Sequence, residues 1–225
     1  MTRPLIGLLV IGQSPRPDLE AEFRRVLGDA ARVETLGALD GLDDAGIAAL
    51  PPQDDGDTLY TTLPTGRSVL VSKAGVTARM GQRLEDLRAM NATVSILCCT
   101  GRFPALEQPG VHFASDILAG AVAACIPREG RIGVFVPSSA QVEAGKRRWA
   151  SDIRETLCFP LSPDASDTEI LAASEEMARH TPDLIVHDCI SYRKASRDLA
   201  ATVHGKPALQ AVSVCAHFAA ELAGI

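Results

Sequence analysis

No stretch of this 225-residue chain is long and apolar enough to span a membrane. The opening Met1-Thr2-Arg3-Pro4 leads straight into a strand-like segment, with no room for the apolar core of a signal peptide. The protein is therefore expected to be cytoplasmic, with its six cysteines reduced. None of these cysteines belongs to a CxxC step. None of His112, His180, His187, His204 and His217 stands at zinc-ligand spacing from a cysteine, so no metal site is expected. No GxGxxG or P-loop pattern follows any strand, and no organic cofactor is expected either. There is no basic excess. A net charge of -6 argues against nucleic acid or an anionic membrane as the partner.

With 46% hydrophobic and 22% charged residues, the chain has ample material for a folded core, enough for one large domain or two small ones. Two stretches organise it. Thr93-Val94-Ser95-Ile96-Leu97-Cys98-Cys99-Thr100-Gly101 is a short apolar run ending in two thiols, a threonine and a glycine. Pro182-Asp183-Leu184-Ile185-Val186-His187-Asp188-Cys189-Ile190-Ser191-Tyr192 repeats the design with one thiol. Each reads as a buried strand that carries cysteine to a turn at its C-terminal end, where open α/β sheets hold ligands.

Strands and helices alternate around these two. Pro4 to Ile11 is a continuous apolar strand, and a helix begins near Pro17 and runs to about Leu27. A strand at Val33 to Leu39 and a short helix at Leu42 to Leu50 follow. Thr58 to Leu63 and Ser68 to Ser72, around Pro64-Thr65-Gly66-Arg67, predict a hairpin. A helix over Val76 to Met90 precedes the first cysteine strand. A short strand at Val111-His112-Phe113 then leads to an Ala-rich helix to Ile126, with Ser115 as expected N-cap.

Arg131 to Ser139 opens a second cycle that parallels Pro4 to Gly12. It continues with a helix over Ala140 to Ile153, a strand near Thr156 to Phe159, and a helix capped by Asp167. The second cysteine strand, a helix over Lys194 to Val203, a strand at Pro207 to Val212 and a closing helix complete it. Alternation of this kind implies parallel sheets covered on both faces. The expected fold is α/β, with two three-layer (αβα) parallel-sheet lobes related by a pseudo-twofold, plus the inserted hairpin. The first lobe is expected from residues 1–112 and 206–225, the second from 113–205, with a cleft between them.

Two α/β halves, each with a cysteine at a strand end, resemble the aspartate/glutamate racemase superfamily. Cys98-Cys99-Thr100 is similar to its Cys-Asn-Thr motif, with cysteine for the asparagine. Asp188-Cys189-Ile190 is similar to its Gly-Cys-Thr motif, without the glycine and threonine. Ile11-Gly12-Gln13-Ser14-Pro15-Arg16-Pro17-Asp18, the hairpin and the Asp188-Cys189 strand more closely resemble the AroM family, over essentially the whole chain. The resemblance implies the racemase-like fold. It also implies Cys98 and Cys189 as paired acid and base on opposite faces of a substrate Cα, one as thiol and one as thiolate. Cysteine suits the task because its free pKa of about 8.5 lies within reach of neutrality.

Position at strand ends makes Gln13, Ser14, Cys99, Thr100, Ser138, Ser139, Ile190 and Ser191 candidates to hold the substrate carboxylate, with Arg16 for a second acidic group. Cys99 competes with Cys98, because strand neighbours face opposite ways. Cys125, Cys158 and Cys215 read as small buried hydrophobes. His187 reads as a core histidine. Asp188 would raise the Cys189 pKa if their side chains met, or else holds a histidine or caps a helix.

The expected activity is cofactor-independent racemisation, epimerisation or isomerisation of a small, amino-acid-like carboxylate. The alternatives are a one-cysteine decarboxylase and a non-catalytic protein that only binds. Exposed apolar helix faces are compatible with a homodimer.

Overall fold

A computed structural model gives the fold over residues 3–126, 129–150 and 155–225. The expected helix end at Ile153 lies outside these described residues. The chain divides into two compact units, one up to Phe113 together with Ala219–Ile225, the other Ala114–Phe218.

The first unit contains β1 (Leu5–Val10), α1 (Pro17–Leu27), β2 (Arg32–Gly37), α2 (Asp44–Ala48), β3 (Thr58–Thr62), β4 (Ser68–Ser72), α3 (Lys73–Ala89), β5 (Val94–Leu97) and β6 (Val111–Phe113). Its main sheet is parallel throughout, in the order β2-β1-β5-β6. Every residue of β1 and β5 is buried, as both-face coverage of a parallel sheet requires. Pro17 opens α1, Asp18 and Glu20 lie in its first turn, Arg24 and Arg25 in its last, and Leu19, Phe23 and Leu27 form its buried stripe. Ser72 caps α3 by accepting the Gly75 N–H, and Val76, Met80, Leu84 and Leu87 pack inward. β3 and β4 pair antiparallel as the predicted hairpin.

The second unit contains α4 (Ala114–Cys125), β7 (Arg131–Val136), α5 (Val142–Trp149), β8 (Glu155–Pro160), α6 (Asp167–Arg179), β9 (Leu184–His187), α7 (Lys194–His204) and β10 (Ala208–Gln210), and α8 (Ala211–Ala223) begins in it. Its parallel sheet runs β10-β9-β7-β8. Counted within each unit, both main sheets have the order 2-1-3-4, and among the described residues the second unit has no counterpart of α2 or of the hairpin. Matching glycines underline the repeat. A Cβ on Gly7 of β1 would press into Leu87 of α3, and one on Gly133 of β7 would overlap Met177 of α6. In both units the helix before the cysteine strand packs onto a glycine in the first strand.

Three expectations are corrected. The strand within 206–225 does not join the first sheet: β10 is hydrogen-bonded to β9, so residues 206–218 group with the second unit. Ser115 is not an N-cap, because β6 passes directly into α4 at Ala114 and leaves Ser115 inside the first turn. The cap of α6 is Ser166 rather than Asp167, in a capping box with Glu169 that satisfies two otherwise orphaned N–H groups. Among the described residues no helix is long and apolar enough to cross a membrane.

Candidate functional site

A 2-1-3-4 sheet reverses its winding between its first and third strands, and ligands of open α/β sheets bind beyond the strand ends at that point. In the first unit those strands are β1 and β5, followed by Ile11–Arg16 and by Cys98–Phe103. In the second they are β7 and β9, followed by Pro137–Gln141 and by Asp188–Arg193. Each unit therefore gathers its own sequence-predicted residues at one switch point.

In the first unit, Asp40 binds the β1 turn to the β2 turn. Its carboxylate accepts the Ser14 N–H at 2.7 Å, the Ser14 hydroxyl at 2.8 Å and the Gly37 N–H at 2.7 Å. Gln13 donates to the carbonyls of Leu39 (3.3 Å) and Leu42 (2.9 Å). Gly37 is glycine for a steric reason: a Cβ would strike the Gly12 carbonyl. Arg79 and Arg83 brace the same turn through the carbonyls of Ala38, Gly37 and Asp40. Arg16 is buried and makes a bidentate bond to Asp18 at 2.7 and 3.0 Å. Burial acts to raise the Asp18 pKa, but the Arg16 hydrogen bond and charge outweigh it and leave the carboxyl below its usual value. These side chains build the turn that carries them.

The two adjacent cysteines part company. The Cys98 N–H still bonds the Leu9 carbonyl at 2.8 Å, extending the β1–β5 ladder by one residue. The residue is 2% exposed, and its thiol donates back to the Ile96 carbonyl at 3.5 Å. Cys99 has left the ladder. It is half-buried, and its Sγ accepts the Gly101 N–H at 3.3 Å. Thr100 is also half-buried beside it. The hairpin reaches this loop: Thr61 of β3 stands where a Gly12 Cβ would be, and Leu59 lies 3.9 Å from the Cβ position of Gly101. Lys73 places its ammonium 5.3 Å from the Phe103 ring centroid.

In the second unit, Cys189 is half-buried one residue beyond Asp188, with Ile190 buried and Ser191 half-buried after it. Ser138 is half-buried and hydrogen-bonded to Gln141 Oε1 at 3.4 Å, and Ser139 is exposed. The Asp188 carboxylate is buried and turned toward α5, where Arg148 meets it at 2.5 Å and Trp149 Nε1 at 2.9 Å. The carboxylate thus holds an arginine and a tryptophan side chain of α5. Arg148 also donates to the Ser115 carbonyl at 3.2 Å. Burial first, then the Asp188 charge, pushes the Cys158 thiol up to about 11, and burial pushes Cys215 up to about 12. Both are packing residues, as expected. Cys125 is exposed instead, because α4 is apolar around most of its circumference and its sequence does not mark a buried face.

Below the Cys189 turn lies a polar cluster that no sequence motif marks. Gln210 Nε2 bonds the Tyr192 carbonyl, and Tyr192 donates its hydroxyl to the Leu161 carbonyl at 2.6 Å. His187 is fully buried between Phe135 (centroids 5.2 Å) and Tyr192 (5.3 Å, edge-on), and neither ring nitrogen has a hydrogen-bond partner. Burial above all, then the charges of His204 and Arg197, holds its pKa down at about 3. The unfolded chain binds this proton from about pH 6.5 downward, whereas the folded chain does not. Stability should therefore be at its plateau above about pH 6.5 and fall by about 1.4 kcal/mol per unit as the pH drops toward 3. Urea melts at pH 6.5 and 5.0 should show His187→Phe losing about 2 kcal/mol less than the wild type over that interval. Equal losses would show that His187 is not buried neutral.

These two units make a two-lobed, racemase-like α/β protein. A family model described as AroM protein matches residues 6–223, and the chain belongs to that family. No curated protein matches the sequence. Among solved structures it resembles arylmalonate decarboxylase, at TM-score 0.68 and 13% identity over 98% of this chain and 93% of that one. It also resembles the maleate isomerase Iso from Pseudomonas putida S16, at TM-score 0.64 and 11% identity over 99% and 93%. A third is glutamate racemase from Francisella tularensis subsp. tularensis SCHU S4 in complex with D-glutamate, at 0.60 and 8% over 98% and 80%. At these identities the likeness is one of fold.

Proposed function

We propose that the protein is a cofactor-independent enzyme that moves a proton at the Cα of a small carboxylate, as a racemase, epimerase or isomerase. The observation that carries this reading is the repeated placement of a half-buried thiol at the switch point of each unit, Cys99 beside Cys98 in one and Cys189 in the other. Neither Cys158 nor Cys215, the buried packing thiols, shares that position.

In the proposed reaction one thiolate takes the Cα proton, and the electron pair left on carbon delocalises into the substrate carboxylate. The opposing thiol returns its own proton to the other face of the carbon. The sulfurs exchange protonation states over the cycle, so the reaction runs equally in reverse. One thiol comes from the Cys98–Cys99 pair and the other is Cys189. Thr100, Ser138, Ser139 and Ser191, with the backbone at Ile190, are the groups proposed to receive the developing carboxylate charge. Gln13, Ser14 and Arg16 serve by holding the first turn in shape. The proposed partner is a small carboxylate, without nucleic acid, membrane, metal or organic cofactor.

Incubating the reduced protein with a panel of amino and hydroxy acids in D₂O tests the reading. Deuterium at Cα, detected by NMR and unaffected by chelator, is the expected result. CO₂ release without exchange would instead favour a one-thiol decarboxylase. Binding with neither would make the protein a carboxylate-binding module.

A further inference from the structure

Which of the two adjacent cysteines serves the first unit is a question that motif register and geometry answer differently. We propose that Cys99 is the reactive thiol and that Cys98 is a packing residue. This rests on the reading above for its catalytic meaning, but not for its chemistry.

Three features separate the neighbours. First, the ladder ends between them. Cys98 is still hydrogen-bonded to Leu9 through its N–H, which fixes its side chain in strand alternation and turns the thiol into the core. Cys99 follows the last ladder bond and lies in the switch-point loop. Second, the hydrogen bonds have opposite sense. The Cys98 thiol is a donor, to the Ile96 carbonyl, and ionisation would destroy that bond and set a thiolate against a carbonyl oxygen. The Cys99 sulfur is an acceptor of the Gly101 N–H, and that bond strengthens when the thiol ionises. Third, Cys99 is half-buried as a residue, whereas Cys98 is 2% exposed. A Cβ at Gly101 would meet the Phe103 ring and the hairpin residue Leu59 as well as the Cys99 sulfur.

Gly101 belongs to the same device. Its φ is not in the left-handed region, and an added Cβ would lie 3.4 Å from the Cys99 sulfur and 3.6 Å from Phe103, ordinary contact distances. Gly101→Ala therefore keeps both loop and donor, whereas Gly101→Pro removes the N–H and puts a ring carbon in its place against the Cys99 sulfur.

The test is competitive alkylation of the reduced wild-type protein with iodoacetamide at pH 7.5, followed by peptide mass mapping. Cys99 should be modified at least about tenfold faster than Cys98. Gly101→Pro should slow Cys99 alkylation relative to Gly101→Ala. Where a substrate is known, Cys99→Ser should lose about 10²–10⁴-fold in interconversion of its enantiomers, and Cα exchange of one of them. Equal or faster modification of Cys98 in the wild type would overturn the inference whether or not the proline variant folds. So would a Cys99→Ser enzyme with normal interconversion. Selective labelling of Cys99 in a protein that exchanges no substrate would leave the inference standing and sink the proposed activity.

Discussion

Cys189→Ser is expected to lower interconversion of substrate enantiomers by about 10²–10⁴-fold without loosening the fold. A serine hydroxyl is too weak an acid and too weak a base at neutral pH to replace a thiol in proton transfer. The Cys189 carbonyl accepts the Tyr192 N–H through backbone that serine keeps, and the variant should fold because three other side-chain fastenings of the turn remain. Those are the Asp188 carboxylate on Arg148 and Trp149, the Tyr192 hydroxyl on Leu161, and Gln210 on the Tyr192 carbonyl. Cα exchange itself should be unequal between enantiomers. A remaining thiol from the first unit would still remove the Cα proton of the enantiomer that presents it to that side, so that enantiomer should keep washing its proton into solvent while the other stays inert. Single-enantiomer exchange in D₂O, followed by chiral chromatography, reads both effects at once. Near-normal rates for both enantiomers would exclude Cys189 as a base and leave a one-thiol reaction.

Much of this arrangement is legible in the residues alone, for physical reasons that also mark where legibility stops. Val94–Leu97 and Leu184–His187 are short, largely apolar runs, and such runs have few alternatives to a buried strand. Hence both cysteine strands, and the switch points at their ends, follow from local pattern. The sheet membership of β10 does not. It is three residues long, and its pairing with β9 is decided by tertiary contact that no periodicity encodes. The side to which Cys98 points depends on whether the ladder ends before or after it, and that is settled by one bond to Leu9, far away in sequence. Asp40 joins Ser14 across 26 residues and Arg148 joins Asp188 across 40, so neither hub has a sequence signature. Charged groups that fasten turns together are chosen by the fold, and pattern-reading passes over them.

The Arg148–Asp188 pair has an energetic consequence of its own. Asp188→Ala is expected to destabilise the protein by about 3 kcal/mol, at the lower end of the range for truncating one partner of a buried ion pair. Asp188 is 5% exposed as a residue, and the substitution would leave the Trp149 N–H without its carboxylate and Arg148 without its charge partner. The lower end applies because the Arg148 side chain is 24% exposed and would recover part of its solvation from water. Its bond to the Ser115 carbonyl would also have to hold without the carboxylate that orients the guanidinium. Asp188→Asn should cost less than Asp188→Ala, since an amide oxygen can still accept from Trp149 while the charge is lost. In urea melts both variants should move the midpoint at unchanged slope, the alanine further than the asparagine. Equal midpoints for the asparagine variant and the wild type would mean that the tryptophan hydrogen bond, not the ion pair, fastens β9 to α5.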